Sequence, residues 1–239
     1  MTNLRSNSAA SPEQQVDYLN ELFEPLNYQE RLEKLYELFN ADEILITSSF
    51  GTKSVFLLHL LSRINPGQQI HFIDTGYHFP ETLSYKEQLA EAFGLEVIDV
   101  HPNPERHAET RDKELWNSDP DRCCHINKVE PLNDIKPEYS VWISGLMGYQ
   151  TDFRSDQRLF EWDGHILKCH PLIDIDEGEF LYHVSYHDLP QHPLEAEGYG
   201  SVGCTHCTER GEGRSGRWQG QEKTECGLHP DYFANKMQS

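Results

Sequence analysis

The chain has 239 residues, 37% of them hydrophobic, which suits one domain of ordinary size with its own core. Its 20 Lys and Arg stand against 40 Asp and Glu, and the net charge of −20 excludes a general nucleic-acid or anionic-membrane surface, since such surfaces need clustered cations. No apolar run reaches the roughly 18 residues of a membrane span, and residues 1–15 lack a charged-then-apolar secretion signal. A cytoplasmic protein with reduced thiols is therefore expected.

In chain order, the first dozen residues are rich in Ser, Asn and Ala, and residues 1–14 are set apart as disordered. Amphipathic helices follow at Pro12–Phe23 and Tyr28–Phe39. A short β run, Glu43–Ser48, breaks at Ser49-Phe50-Gly51-Thr52 before an apolar helix through Leu61. A second strand, Gln69–Asp74, ends in Thr75-Gly76 and precedes a helix at Pro80–Phe93. Further strands are expected at Glu96–Val100, Val141–Ser144 and Ile166–His170, and a last helix at Gly178–His187. Strands alternating with helices predict an α/β fold with a doubly wound, mainly parallel sheet. That domain is assigned to 15–200, and a Gly-rich, charged segment to 201–239.

Five of the six cysteines form a pattern: Cys123 beside Cys124, Cys204-x-x-Cys207, and Cys226 alone in a short polar tail. Four read as metal ligands and Cys226 as a flexible nucleophile. Structural zinc usually takes two Cys-x(2–4)-Cys hairpins, whereas one half here has no spacer. Neighbouring side chains on a helix diverge by about 100°, so Cys123 and Cys124 need distorted backbone or a large target to share one centre. An iron-sulfur cube, with four iron corners and thiolate ligands, is such a target. Zinc, a vicinal disulfide and a dithiol redox role for Cys204-x-x-Cys207 are the alternatives.

In a doubly wound sheet, ligands bind at the carboxyl ends of strands near the switch point. Ser48, Ser49, Phe50, Gly51, Thr52, Lys53 and Ser54 follow the first strand and open a helix, where amides and hydroxyls can hold a phosphate. They match neither the P-loop spacing nor the dinucleotide fingerprint, and a plain Ser/Gly helix cap is the alternative. Asp74, Thr75 and Gly76 end the second strand, where an exposed loop can take an adenine edge or simply turn.

Taken together, the motifs resemble the assimilatory adenylyl-sulfate reductases of the iron-sulfur type, relatives of the 3′-phosphoadenylyl-sulfate reductases and, more distantly, of other PP-loop adenine-nucleotide enzymes. The resemblance runs over roughly residues 40–230. It rests on Ser48 to Gly51, Asp74 to Thr82, Cys123-Cys124 with Lys128 to Leu132, and Gly145-Leu146 with Gln150 and Arg154. It continues through Gly203 to Thr208, Arg214 to Trp218, and Lys223 to His229. It implies a Rossmann-like PP-loop fold and a [4Fe-4S] cluster on Cys123, Cys124, Cys204 and Cys207. Cys226 would attack the sulfate sulfur of adenylyl sulfate, expel AMP and form a thiosulfonate, which thioredoxin or a glutaredoxin-like reductant resolves to sulfite. Arg214, Arg217 and His229 are implied to hold the sulfate oxygens, and Lys128 to link cluster and substrate electrostatically. Ser48, Ser49, Phe50, Gly51, Lys53, Asp74, Thr75, Gly76, Gln150 and Arg154 are implied in nucleotide binding, and a homo-oligomer is expected from the resemblance alone. A role in sulfate assimilation and cysteine biosynthesis follows.

Several positions depart from the family pattern. Lys53-Ser54 replace an acidic pair, Asn127 stands for an Arg, and Met147-Gly148 for an Arg pair. These leave adenylyl sulfate and its 3′-phosphorylated form both open as substrate. Cys169 reads as a buried structural thiol. His183, His187 and His192 read as packing or surface residues, and His206 as a neighbour of the ligands rather than one of them. Trp218 either packs under the tail or stacks near substrate. Two rival readings remain, a zinc-stabilised nucleotide-binding module and a PP-loop ligase consuming ATP.

Overall fold

The computed structural model describes residues 11–221 and 223–228. Helix α1, Pro12–Phe23, starts with Ser11 and Gln14 closing a reciprocal capping box. Residues 11–14 thus form the cap and first turn of a helix rather than part of a disordered tail. Helix α2 spans Tyr28–Leu38. Leu19, Phe23, Leu32 and Leu35 are fully buried, each contributing roughly 2 kcal/mol through the area removed from water. Buried Arg31 ties α2 to the later chain by a bidentate pair with Asp174, both contacts at 2.6 Å.

The alternation then follows: β1 (Ile44–Ile46), α3 (Val55–Ile64), β2 (Gln69–Ile73), α4 (Pro80–Phe93) and β3 (Glu96–Val100). Next come α5 (Pro104–Asp112), α6 (Leu115–Ser118), α7 (Pro120–Cys124), a π-helical turn (His125–Val129) and α8 (Glu130–Ile135). The chain closes with β4 (Val141–Ile143), α9 (Asp152–Ser155), β5 (Phe160–Trp162), β6 (Leu167–Cys169) and α10 (Glu177–Tyr186).

β1, β4 and β6 are parallel, and β5 adds an antiparallel edge. β2 and β3 pair in parallel, and a parallel Thr47–His71 bridge joins them to β1. Across the molecule the order is β3-β2-β1-β4-β6-β5. The chain leaves β1 in one direction for β2 and β3, and returns on its other side as β4. This is the switch point at which strand-end loops diverge and leave a crevice. The expected α/β, doubly wound, mainly parallel sheet is what forms.

Candidate active site

A cleft of about 390 Å³ opens at that switch point. One wall is the loop after β1, with Ser48, Ser49, Gly51, Lys53 and Ser54. The other is the chain after β4, with Ser144, Gly145 and Gln150. Ser48 Oγ accepts from the Phe50 amide at 3.1 Å, and Thr52 Oγ1 donates to the Gly200 carbonyl at 3.0 Å, holding segment 200–203 over the loop. Phe50 takes a left-handed backbone (φ +47°) that non-glycine residues rarely adopt. Its ring is fully buried edge-on to Phe72, so this residue shapes the loop from beneath and its side chain stays out of the cleft. Lys53 lines the cleft, but its Nζ is engaged by Glu195 at 2.9 Å.

Asp74, Thr75 and Gly76 do not line this cleft. Asp74 Oδ1 accepts from the Gly76 amide at 2.9 Å, and buried Thr75 Oγ1 lies 3.3 Å from Cys204 Sγ. The loop therefore abuts the cysteines.

Cys123, Cys124, Cys204 and Cys207 are all buried. Cys123 and Cys124 end α7 where the backbone widens into the π-helical turn, a local irregularity frequent at functional sites. Cys204 docks through an antiparallel bridge to His78, and the Thr205 amide bonds the Tyr77 carbonyl at 2.8 Å. Burial and the mutual proximity of these sulfurs push the Cys123 thiol up to about 12 and Cys207 up to about 11. Among the described residues, no three His, Cys, Asp or Glu side chains converge tightly enough for a single metal ion. Cys124, Cys204 and Cys207 all lie near enough to act on Cys123, and four cysteines are the donor set that an iron-sulfur cluster takes.

Lys128 stands on the π-helical turn and also lines the cleft. Burial disfavours its charge, but the sulfurs of Cys204, Cys124 and Cys226 outweigh this and hold Lys128 above the ordinary lysine range. Asn127, beside it, faces the cysteines. Its Nδ2 donates to the Cys123 carbonyl at 2.9 Å and reaches Cys123 Sγ at 3.6 Å, while its Oδ1 meets His107 Nδ1 at 2.8 Å. A larger basic residue would not fit that buried pocket without displacing these contacts.

The tail completes the cleft. Residues 209–217 fold back on 198–208 through the Tyr199–Gly211 and Thr208–Arg217 bridges. A Cβ at Gly203 would overlap the Arg217 guanidinium, so glycine lets Arg217 reach this position. Buried Trp218 carries Arg217 at 4.4 Å and Arg214 at 5.8 Å from its ring centroid, favourable cation–π placements. It also lines the cleft, so it packs under the tail and faces the ligand space at once. Lys223, buried, donates to the Pro120 carbonyl at 3.1 Å and Asp121 at 2.6 Å, tying the tail to α7 beside the cysteine pair.

Glu225 is fully buried and takes a bidentate pair from Arg154 at 2.7 and 2.8 Å, with Arg214 at 3.2 Å and Thr151 Oγ1 at 3.0 Å. Burial raises its pKa, yet Arg154 and Arg214 hold it below the usual carboxylate range. Gln150 Oε1 accepts from Arg154 Nη1. Arg154 and Gln150 both line the cleft, but Arg154 is occupied by Glu225, a pairing across 71 positions that no local pattern announces.

Cys226 is half-buried and lines the cleft with Lys128, Arg214 and Arg217. Burial opposes its thiolate, but Lys128 first, and then the Leu228 backbone and Arg217, bring its pKa below the ordinary thiol value. In a chain of net charge −20, Lys128, Arg214 and Arg217 gather at one cleft beside the Arg154–Glu225 pair, an arrangement suited to an anion. His229 lies outside the described residues.

Elsewhere, Met147 is fully buried, and a Cβ at Gly148 would meet the Ile173 carbonyl at 2.8 Å. Neither site faces the cleft. His206 stacks on Trp116 at 4.0 Å, His183 on Phe56 at 4.4 Å, and His187 packs on His59 at 4.7 Å. His192 is buried against Thr82 Oγ1 at 3.1 Å. Cys169 is buried in β6, and burial pushes its thiol well up. Ser144, His170 and Lys223 are residues at or beside the site to which the amino-acid order assigns no role, and Glu225 is legible only as one of several acidic residues balancing nearby cations.

Comparison with known proteins adds three likenesses. The chain is 34% identical over 235 residues to the adenosine 5′-phosphosulfate reductase of Salinibacter ruber, covering 94% of this chain and 93% of that one. It is 36% identical over 199 residues to the phosphoadenosine 5′-phosphosulfate reductase of Gloeobacter violaceus, covering 79% and 83%. Its fold matches the crystal structure of phosphoadenylyl-sulfate reductase from Candida auris in its phosphate complex, with a TM-score of 0.67, 24% identity, and 84% and 98% coverage. Residues 43–210 match the phosphoadenosine phosphosulfate reductase domain, and the chain belongs to that family.

Proposed function

We propose that the protein reduces adenylyl sulfate to sulfite and AMP, with Cys226 as the sulfur acceptor. The observation that carries this is the placement of a thiol of lowered pKa in a strand-end cleft with Lys128, Arg214 and Arg217. In the reaction, the Cys226 thiolate attacks the sulfate sulfur. The bond from that sulfur to the phosphate oxygen breaks, and AMP leaves with the electron pair. Cys226 then carries a thiosulfonate. A thiol of a dithiol reductant of the thioredoxin type attacks Cys226 Sγ, and the S–S bond breaks with its electron pair leaving on sulfite. The second reductant thiol displaces Cys226, which returns as a free thiol while the reductant becomes a disulfide. Lys128 and Arg217 favour the thiolate at the outset. Arg214 and Arg217 supply positive charge for the sulfate oxygens as charge redistributes.

Cys123, Cys124, Cys204 and Cys207 would hold a [4Fe-4S] cluster. When bound, it would supply a rigid support and a negative charge that keeps Lys128 protonated. No electron passes through it in this scheme. All six cysteines are free thiols, and among the described residues no helix is long and apolar enough to cross a membrane. Both features accord with a cytoplasmic enzyme.

Adenylyl sulfate is preferred over its 3′-phosphorylated form because Lys53 is held by Glu195, and Asn127, Met147 and Gly148 supply no cation to the cleft. The test is anaerobic sulfite release with thioredoxin, comparing both substrates at equal, limiting concentration on iron-replete enzyme. Faster turnover of the unphosphorylated substrate is expected. Preference for the other would keep the chemistry and overturn the specificity. Cys226→Ser is expected to lose more than about 10³-fold in rate while still binding nucleotide, and Cys123→Ser or Cys204→Ser to lose iron.

A further inference from the structure

On the cleft wall formed by β4, a buried relay stands apart from the sulfur chemistry. Ile143 pairs with Cys169 across β4 and β6, so the next residues, Ser144 and His170, sit side by side at the carboxyl ends of neighbouring strands. Ser144 Oγ lies 2.8 Å from His170 Nδ1. On its other side, His170 Nε2 lies 3.3 Å from Glu161 Oε2, supplied by the antiparallel β5. His170 is fully buried and Ser144 nearly so, yet Ser144 lines the cleft.

The proton positions follow from the partners. An ionised carboxylate can only accept, so Glu161 requires the proton on His170 Nε2. Burial works against the charge of Glu161, but its bond to His170 and the nearby Lys168 hold it below the usual carboxylate range. Burial likewise keeps the His170 ring neutral, lowering its pKa against the pull of Glu161, with Lys168 and Arg154 adding in the same direction. A neutral imidazole protonated on Nε2 has a bare Nδ1 that can only accept. The Ser144 O–H therefore points back to the ring, which leaves its lone pairs free to accept from a donor in the cleft that Ser144 lines.

We infer that Ser144 Oγ is a hydrogen-bond acceptor on the cleft wall, held in that sense by His170 and Glu161, and that it selects a neutral donor of the nucleoside, a ribose hydroxyl or the adenine amino group. This rests on the reading of the cleft as an adenylyl-sulfate site. A phosphate oxygen at the same place would meet lone pairs and no proton. If the donor is the 3′-hydroxyl, Ser144 thus also disfavours the 3′-phosphorylated substrate. His170 and Glu161 act through Ser144 and are positioning residues.

The test is titration calorimetry of the cluster-loaded enzyme with AMP, 2′-deoxy-AMP, 3′-deoxy-AMP and IMP. AMP undergoes no turnover, and the last three each delete one candidate donor. In the wild type, one analogue is expected to bind about tenfold more weakly than AMP, the size of one net hydrogen bond. In Ser144→Ala that discrimination disappears while the other two analogues keep their wild-type ratios to AMP. In Glu161→Leu the acceptor for the Nε2 proton is removed, so the ring proton is no longer held there and moves to Nδ1, where it donates to Ser144 Oγ and frees the serine proton. The same discrimination is expected to shrink there, whereas Ser144→Thr retains it. Unchanged ratios in Ser144→Ala would overturn the inference alone, and a wild-type ratio in Glu161→Leu would overturn the relay. Absence of AMP binding to the wild type would overturn the nucleotide reading and this inference with it.

Discussion

The strand-end wall of the cleft and the wall supplied by the tail are held in place by different forces. Loops after β1 and β4 are positioned by parallel strands whose side chains are fully buried, such as Ile44, Leu45 and Ile143, and they offer amides and hydroxyls. Residues 200–228 contain only one short 3₁₀ turn among their described elements. They are fixed by glycine-to-backbone packing and by charge pairs, with Glu225 between Arg154 and Arg214, and Lys223 on Asp121. A sheet places neutral groups accurately at low electrostatic expense, whereas concentrated cations require buried counter-charges to keep them there. On the proposed reading, nucleotide recognition belongs to the sheet and sulfur chemistry to the tail.

That division can be broken at named residues. Lys128→Ala is expected to lower kcat/KM by about 10²-fold near neutral pH with AMP affinity changed little. Because Lys128 helps hold the Cys226 pKa down, its removal raises that pKa. The acid limb of the pH–rate profile should therefore move to higher pH. An unmoved limb would detach Lys128 from the nucleophile.

Glu225→Ala leaves Arg154 and Arg214 without their buried counter-charge and is expected to destabilise the protein by about 3 kcal/mol. This reads as a drop of roughly 10 °C in Tm for a chain of this size. The folded-state pKa of Glu225 is depressed. Its contribution is therefore present above the unfolded carboxylate pKa of about 4.3, and it is lost as pH falls through the folded value. The Tm gap between wild type and Glu225→Gln should be full at neutral pH and narrow on acidification. A gap independent of pH would contradict the ion-pair account.

Gly203→Ala drives a methyl into the Arg217 guanidinium. Displacing that group should reduce turnover by about tenfold or more while leaving AMP affinity near wild type, separating the two walls by kinetics and calorimetry. Lys53→Ala sits at the small end. Its pair with Glu195 is partly exposed, worth less than about 1 kcal/mol, and adenylyl-sulfate kinetics should shift by no more than about twofold. A selective loss with the 3′-phosphorylated substrate would instead show that Lys53 leaves Glu195 to reach the extra phosphate.

Much of the strand-end wall was legible in the amino-acid order. Ile44–Ile46, Gln69–Ile73, Glu96–Val100 and Val141–Ile143 fall where β-branched runs bounded by Ser, Gly and Asp predict them. The cysteine pairs stood out by their spacing, and a π-helical turn follows Cys124. What was not legible depends on long-range pairing. Helix α5 carries Pro104-Glu105-Arg106-His107-Ala108 with Thr110 as its one buried residue, so it shows no apolar stripe to read. The antiparallel β5 is three residues long and ends in a half-exposed Trp162. Arg154 and Lys53 looked available to a nucleotide because their partners, Glu225 and Glu195, are distant in sequence. The Asp74-Thr75-Gly76 turn was open to an adenine edge or a plain turn, and its neighbour Cys204, 3.3 Å from Thr75 Oγ1, is distant in sequence.

The most direct test of the central claim is mass spectrometry of the enzyme after a single turnover with adenylyl sulfate and no reductant. The expected result is one SO₃ group on the peptide bearing Cys226, released as sulfite when thioredoxin is added. An adduct on Cys123, Cys124, Cys204 or Cys207, or AMP release with no covalent sulfur on Cys226, would contradict the assignment of the tail thiol as the sulfur acceptor.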